Sequence, residues 1–246
     1  MKGYEAATFY SLPRRTYAII RCDGKAFHSY LRHAEKPFDS EFMAHMDEVS
    51  ATLCKQISGT VLAYTHSDEI SLLLTDFGSV HTEPWFSGNV QKMASVSASI
   101  ATAALNALRT GFPLFDSRIF TIPGPVEVAN YFLWRQRDCV RNSISMATQA
   151  HFSHNRLHGL NGGQMQELLW SEKGINWNDY PDGAKRGRVC QRITGEEEIT
   201  YTDKRTSVER TAKATRSHWI SEGAPHFTVA PGSFLAGVIP QLPTLA

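Results

Sequence analysis

Two short acidic stretches carry the residues best suited to chemistry. Asp23-Gly24 ends the β-branched run Thr16–Cys22, and Asp68-Glu69 opens the apolar run Ile70–Leu74. Carboxylates crowded together repel one another, so such a cluster is costly unless cations are bound. Hard oxygen ligands suit Mg²⁺, which keeps some waters and takes substrate phosphates as further ligands. Two such ions about 4 Å apart can activate an attacking oxygen and stabilise a leaving one. Gly24 lets the backbone approach a metal or phosphate closely because it has no Cβ. The amides of Lys25, Ala26, Phe27 and His28 then form a candidate nest for a triphosphate. Asp23, Asp68 and Glu69 are the expected catalytic carboxylates.

These residues meet only if the intervening elements bring them together. Thr16–Cys22 reads as a buried strand ending in an Asp-Gly turn. Pro37-Phe-Asp-Ser40 gives a helix start, and Phe42, Met43, Met46, Val49, Leu53 and Ile57 follow at helical spacing, predicting a helix over 38–58. Thr60–Tyr64 and Ile70–Leu74 read as a hairpin, 88–109 as an Ala/Ser-rich helix, and Ser117–Ile122 as a fourth strand cut by Pro123-Gly-Pro125. Strand, helix, strand, strand, helix, strand is the ferredoxin-like βαββαβ order. In that sheet the first and third strands are adjacent and antiparallel, so Asp23 and Asp68-Glu69 converge.

The fold expected is therefore α+β, a ferredoxin-like palm over 1–124 with an added helical region and β-hairpin over 125–246. The second half predicts helices at 125–150 and 161–171, with a helix cap at Ser153. It also predicts a hairpin of Arg188–Ile193 against Ile199–Thr202 across Thr194-Gly195-Glu196, and a basic helix at 206–221. Fold alone does not assign function.

The chain has 246 residues, a formal net charge of +1 and 42% hydrophobic residues, which excludes a disordered chain. No run approaches 18 apolar residues, and no signal-like stretch opens the sequence. The cysteines Cys22, Cys54, Cys139 and Cys190 are scattered without zinc spacing, which reads as free thiols in a reducing cytoplasm. The neutral sum conceals a split. Residues 1–184 carry 16 basic and 18 acidic side chains, whereas 185–218 carry nine basic and five acidic ones. That basic stretch is either a solvated surface or a contact for RNA phosphates.

At this point several motifs fall into one register. Arg21-Cys-Asp-Gly-Lys-Ala-Phe-His28, Glu35-Lys-Pro-Phe-Asp39, Ser67-Asp-Glu69, Phe115-Asp-Ser-Arg118, Trp134-Arg-Gln-Arg-Asp-Cys139 and Lys185-Arg-Gly187 resemble the tRNA(His) guanylyltransferase family and its guanylyltransferase-like relatives. The resemblance spans roughly residues 15–192. It implies templated nucleotide addition to the 5′ end of tRNA in the 3′-to-5′ direction, with GTP or ATP as substrates. Two Mg²⁺ ions would be held by Asp23, Asp68 and the Gly24 carbonyl. Triphosphate contacts would come from Asp23–His28, Ser67, Asp68 and Lys36, with Asn142 retained from a further family motif. A homotetramer is also implied. One departure is informative: Val140 stands where the guanylyltransferases proper carry histidine. That resembles the bacterial and archaeal relatives associated with repair of 5′-truncated tRNA.

Other residues keep two readings open. His28 either contacts phosphate or is a structural hydrogen-bonder. Arg137 and Arg141, one helical turn apart, either grip RNA phosphate or pair with acids such as Asp138. Trp134 reads as core. No Gly-rich Walker loop, G-x-S-x-G elbow or H-E-x-x-H motif is present. A nucleotide cyclase on the same palm is the competing enzyme; it would turn over a triphosphate without RNA. An RNA-recognition module is disfavoured, because Ala18–Arg21 and Ile70–Leu74 lack the stacking aromatics it uses.

Overall fold

The computed structural model describes residues 1–202, 204–205 and 207–243. In chain order it forms α1 (Lys2–Ala6), β1 (Tyr17–Gly24), α2 (Phe27–Tyr30), α3 (Ser40–Gln56), β2 (Thr60–His66), β3 (Glu69–Thr75), α4 (Val90–Leu108) and β4 (Phe115–Ile122). Then follow α5 (Pro125–Gln149), α6 (His154–Leu157), α7 (Gly162–Lys173), α8 (Asp182–Arg186), β5 (Arg188–Thr202), β6 (Glu209–Gly223) and α9 (Phe234–Val238). The strands make one antiparallel sheet in the order β4-β1-β3-β2-β5-β6. The first four are the ferredoxin-like unit, and β5 extends it by pairing with β2.

Alternation along the strands gives the sheet two buried faces. Ile20, Leu72 and Leu74 pack under Met46, Leu53 and Leu105 of α3 and α4. Tyr17, Ile19 and Leu73 pack on Val128 and Phe132 of α5. Helix starts follow local chemistry. Asp39 caps α3 by accepting from the Phe42 amide, Pro125 occupies the first turn of α5, and Asn161 with Gln164 forms a capping box on α7. Ser153 precedes α6 as expected, although its side chain makes no cap bond.

Two expectations for the second half are corrected. β5 runs straight through Thr194-Gly195-Glu196 instead of turning there, and the segment read as a basic helix is the strand β6. The pairing is continuous from Arg188 opposite Gly223 to Thr202 opposite Glu209. Gly195 sits opposite Arg216 in this ladder, so the glycine marks no turn. A lone helix has no tertiary face to bury, whereas the ladder satisfies the backbone of both segments.

The basic stretch is also less available than its composition suggested. Lys185 is buried and donates to the Asn178 carbonyl at 2.5 Å, Arg186 pairs with Asp182, and Arg188 holds Asp47 at 2.5 Å. Lys185 and Arg188 tie α8 and β5 to neighbouring elements, Arg186 pairs within α8, and all three are largely buried. All four cysteines are buried and free. Among the described residues, no helix is long and apolar enough to cross a membrane.

Phe132 is fully buried where α5 meets the sheet. Phe132→Ala is expected to cost about 3–5 kcal/mol. Urea unfolding should show a lower midpoint with an unchanged slope.

Candidate active site

Strand register brings the acidic residues together. Asp23 lies opposite Glu69 on one side and Asp116 on the other, and His66 lies opposite Glu69. Cross-strand partners share a face. Asp116, Asp23, Glu69 and His66 therefore form one row across β4, β1, β3 and β2, at the end of the sheet that overhangs α5.

Glu69 is neutralised from below. Arg135 of α5 donates through Nε to Oε1 at 2.7 Å and through a terminal nitrogen to Oε2 at 2.8 Å. His66 Nε2 stands 3.3 Å from the same carboxylate, and Ser71 donates to it at 3.3 Å. Burial pushes the Glu69 carboxyl up, but the His66 hydrogen bond and charge, followed by Arg135, bring it down to about 2. Both of its oxygens are occupied. Asp23 has no such partner. Burial, then the charges of Glu69 and Asp116, hold its pKa above the usual carboxylate range, against the weaker pull of Arg118 and Arg21.

Asp68 comes from the tight turn between β2 and β3, where Ser67 adopts φ 49°. Its carboxyl is also raised, first by burial and further by Asp23, while its own backbone amide and the Ser67 hydroxyl oppose the shift. Gly24 is the contact between the two arms. A Cβ there would stand 2.7 Å from Asp68 Oδ2 and 2.3 Å from the Phe27 ring. The glycine is thus required by Phe27 and Asp68 themselves, a tighter reason than approach to a ligand. Among the described residues no cluster of three or more His, Cys, Asp or Glu side chains forms a cation cage. The site offers two carboxylates with raised pKa values beside backbone oxygens, a donor set that suits Mg²⁺ shared with phosphate and water.

The loop after Gly24 divides its work. The Lys25 amide donates to the Leu114 carbonyl at 2.8 Å, so it is spent on the sheet edge. Ala26 has φ 57° and starts α2, whose first amides lack intrahelical acceptors. Phe27 is a core residue packed on Tyr30, Phe42 and Phe115, leaving only its backbone for a ligand. His28 is exposed, with Nδ1 3.2 Å from the Ser29 hydroxyl.

Beyond the turn lies a cleft, and Lys36, Ser67 and Asn142 all line it, together with Phe38, Met43 and Met146. Three residues distant in sequence are thus gathered beside Asp68. Asn142 reaches towards Asp138 at 3.5 Å. Of the basic residues on α5, Arg135 is buried on Glu69 and Arg141 pairs with Asp138, which takes the acid-pairing reading. Trp134 corrects the core reading, since it is 53% exposed.

A family model described as tRNA(His) guanylyltransferase matches residues 1–123. A tRNA(His) guanylyltransferase of Debaryomyces hansenii is 30% identical over 78% of this chain and 78% of its own length. The chain belongs to the tRNA(His) guanylyltransferase family. Its Schizosaccharomyces pombe relative is 29% identical, over 82% of this chain and 83% of its own length. Among solved structures, a bacterial guanylyltransferase-like protein in complex with ATP superposes with a TM-score of 0.80 at 40% identity. It covers 92% of this chain and 91% of its own. A second bacterial structure, in complex with GTP, gives a TM-score of 0.74 at 40% identity. The fold is accordingly the palm of this family.

Sequence patterning missed the partners of the acidic row. Asp116 and His66 are fixed by strand register, and Arg135 by a buried acid that needs a cation. The Glu69–Arg135 pair is 9% and 7% exposed, so breaking it strands a buried charge. Arg135→Met is expected to destabilise by about 3–5 kcal/mol, and Glu69→Gln with Arg135→Met to recover most of that loss. Urea unfolding of the two single variants and the double variant measures the coupling.

Proposed function

We propose that this guanylyltransferase-family protein adds nucleotides to the 5′ end of tRNA in the 3′-to-5′ direction, templated by the opposite strand, with Mg²⁺ and nucleoside triphosphates. The observation that carries the reading is the meeting of Asp23 and Asp68 across Gly24, with the Lys36, Ser67 and Asn142 cleft alongside. The two relatives bound to ATP and GTP support a purine triphosphate as substrate.

Asp23, Asp68 and the Gly24 carbonyl would hold the ions. Bound there, Mg²⁺ would supply charge stabilisation and lower the pKa of an attacking hydroxyl. The chain's own groups do the positioning. The amides at the start of α2 and the Ser67 hydroxyl orient phosphate oxygens, and Lys36 adds a point charge. Glu69, tied by Arg135 and His66, fixes the strand edge rather than binding substrate. A 5′-monophosphate is a poor electrophile, so its oxygen first bonds to the α-phosphorus of a nucleoside triphosphate as the α–β bond breaks and pyrophosphate leaves. The 3′-oxygen of the incoming nucleotide then bonds to the 5′ phosphorus as the bond to the departing nucleoside monophosphate breaks. A 5′-triphosphate end needs no activation and releases pyrophosphate.

Val140, half-buried beside the Trp177 cluster, cannot donate a hydrogen bond where the guanylyltransferases proper have histidine. This favours 5′-truncated tRNA, selected by Watson–Crick pairing, over addition specific to tRNA(His). RNA phosphates would meet the exposed cations of the β5–β6 arm, Arg192, Lys213 and Arg216.

α-Labelled GTP or ATP incubated with Mg²⁺ and a 5′-truncated, monophosphorylated tRNA should place label in the RNA. Label found only in a cyclic nucleotide would instead establish the cyclase. Asp68→Asn should lower addition by about 100-fold or more. Its unfolding free energy should stay within about 1 kcal/mol, because the change also relieves repulsion with Asp23.

A further inference from the structure

Trp134 is a large aromatic side chain exposed on the helix that carries Arg135. It lies on α5 one residue before Arg135, and its flank of the helix can be assigned. Gln136 bonds to the carbonyls of Arg186 and Pro225 and to the Phe227 amide, which sets its side of α5 against the β5–β6 region. Tyr131 instead packs on Phe120 of β4 and lies 2.8 Å from the Ser71 hydroxyl. Trp134, 6.0 Å from Tyr131 between ring centroids, shares that second flank. It therefore overhangs the open side of the sheet, where β1 and β4 present Asp23, Arg21 and Arg118.

The indole is also held still. The Arg135 guanidinium lies over one ring face at 4.5 Å from the centroid, and that guanidinium is locked on Glu69, the cross-strand neighbour of Asp23. With one face covered by a cation, the 53% exposure belongs largely to the other face and the edges. Nearby, Arg118 stands 3.8 Å from both Asp23 and Asp116, and Arg21 Nε is buried without a hydrogen-bond partner among the described residues. A rigid aromatic face beside cations at a phosphoryl-transfer edge is the chemistry of a stacked nucleotide.

We infer that the free face of Trp134 stacks the base of the RNA's 5′-terminal nucleotide, while Arg118 and Arg21 face its phosphate near Asp23. The inference rests on the proposed function and assigns it a positioning residue. Stacking accepts any base, which suits an enzyme whose choice of nucleotide is made by pairing with the template. The Arg135–Glu69 pair then has a second consequence, because it sets the height of the platform as well as neutralising the strand edge.

The test compares wild type with Trp134→Ala, Trp134→Leu and Trp134→Phe, using the full chain and a 5′-truncated tRNA. Trp134→Ala and Trp134→Leu should raise the KM for RNA by roughly 5- to 150-fold, the range expected for one lost base stack. Trp134→Phe should stay within about threefold. Triphosphate affinity, measured without RNA, should be unchanged in all three. The proposal is overturned if Trp134→Ala binds RNA like wild type, or if Leu rescues as well as Phe. Parallel loss of triphosphate binding would mean a structural role, and a change in oligomeric state would mean that a second copy covers the ring; either overturns it. Failure of wild type to extend any truncated tRNA would instead refute the proposed function, so the two failures are distinguishable.

Discussion

The structure is organised around like charges forced together by a strand register. β1 and β3 can pair antiparallel with their apolar faces correct only if Asp23 lies opposite Glu69, and β4 adds Asp116 to the same row. A one-residue slip would turn every core side chain to the wrong face, so the register cannot relax to separate the charges. The protein neutralises one acid internally, through Arg135 and His66 on Glu69. Asp23 and Asp68 keep raised pKa values instead. The proposed cation site rests on that asymmetry.

The rest of the fold serves this edge. α5 carries Arg135 to Glu69 from below, and Asn142, two turns further on, into the cleft beside Lys36 and Ser67. The turn with Ser67 in a left-handed conformation swings Asp68 over Gly24, while Phe27 anchors the following loop in the core between α3 and β4. The β5–β6 ladder leaves the body of the sheet as an arm. With Lys185, Arg186 and Arg188 spent on internal partners, residues 189–223 hold six basic and six acidic side chains, so the arm is neutral overall.

Much of this was legible in the sequence, and the limits have physical causes. The palm strands announced themselves as short, nearly continuous apolar runs, because the sheet is buried on both faces, and α3 by an apolar stripe at helical period. The meeting of Asp23 with Asp68 followed from topology alone. The β5–β6 arm was misread because both strands are largely exposed, so no buried face imposed a period of two. Trp134 was misplaced because a large aromatic on a helix is usually core, and its exposure depends on a guanidinium beneath it. Lys185, Arg186 and Arg188 counted as surface charge in the sequence, although all three are largely buried and paired, Arg186 within its own helix and the other two with residues of other elements.

The central claim is that two distant carboxylates, left unneutralised by the fold, form a divalent-cation site completed by a triphosphate. Mn²⁺, a spin-active stand-in for Mg²⁺, can be counted by paramagnetic resonance in the presence of a non-hydrolysable purine triphosphate. The account predicts two tightly held Mn²⁺ ions per chain in wild type, and loss of tight binding when Asp23 and Asp68 are both replaced by asparagine. Equal Mn²⁺ retention by wild type and that double variant would contradict it.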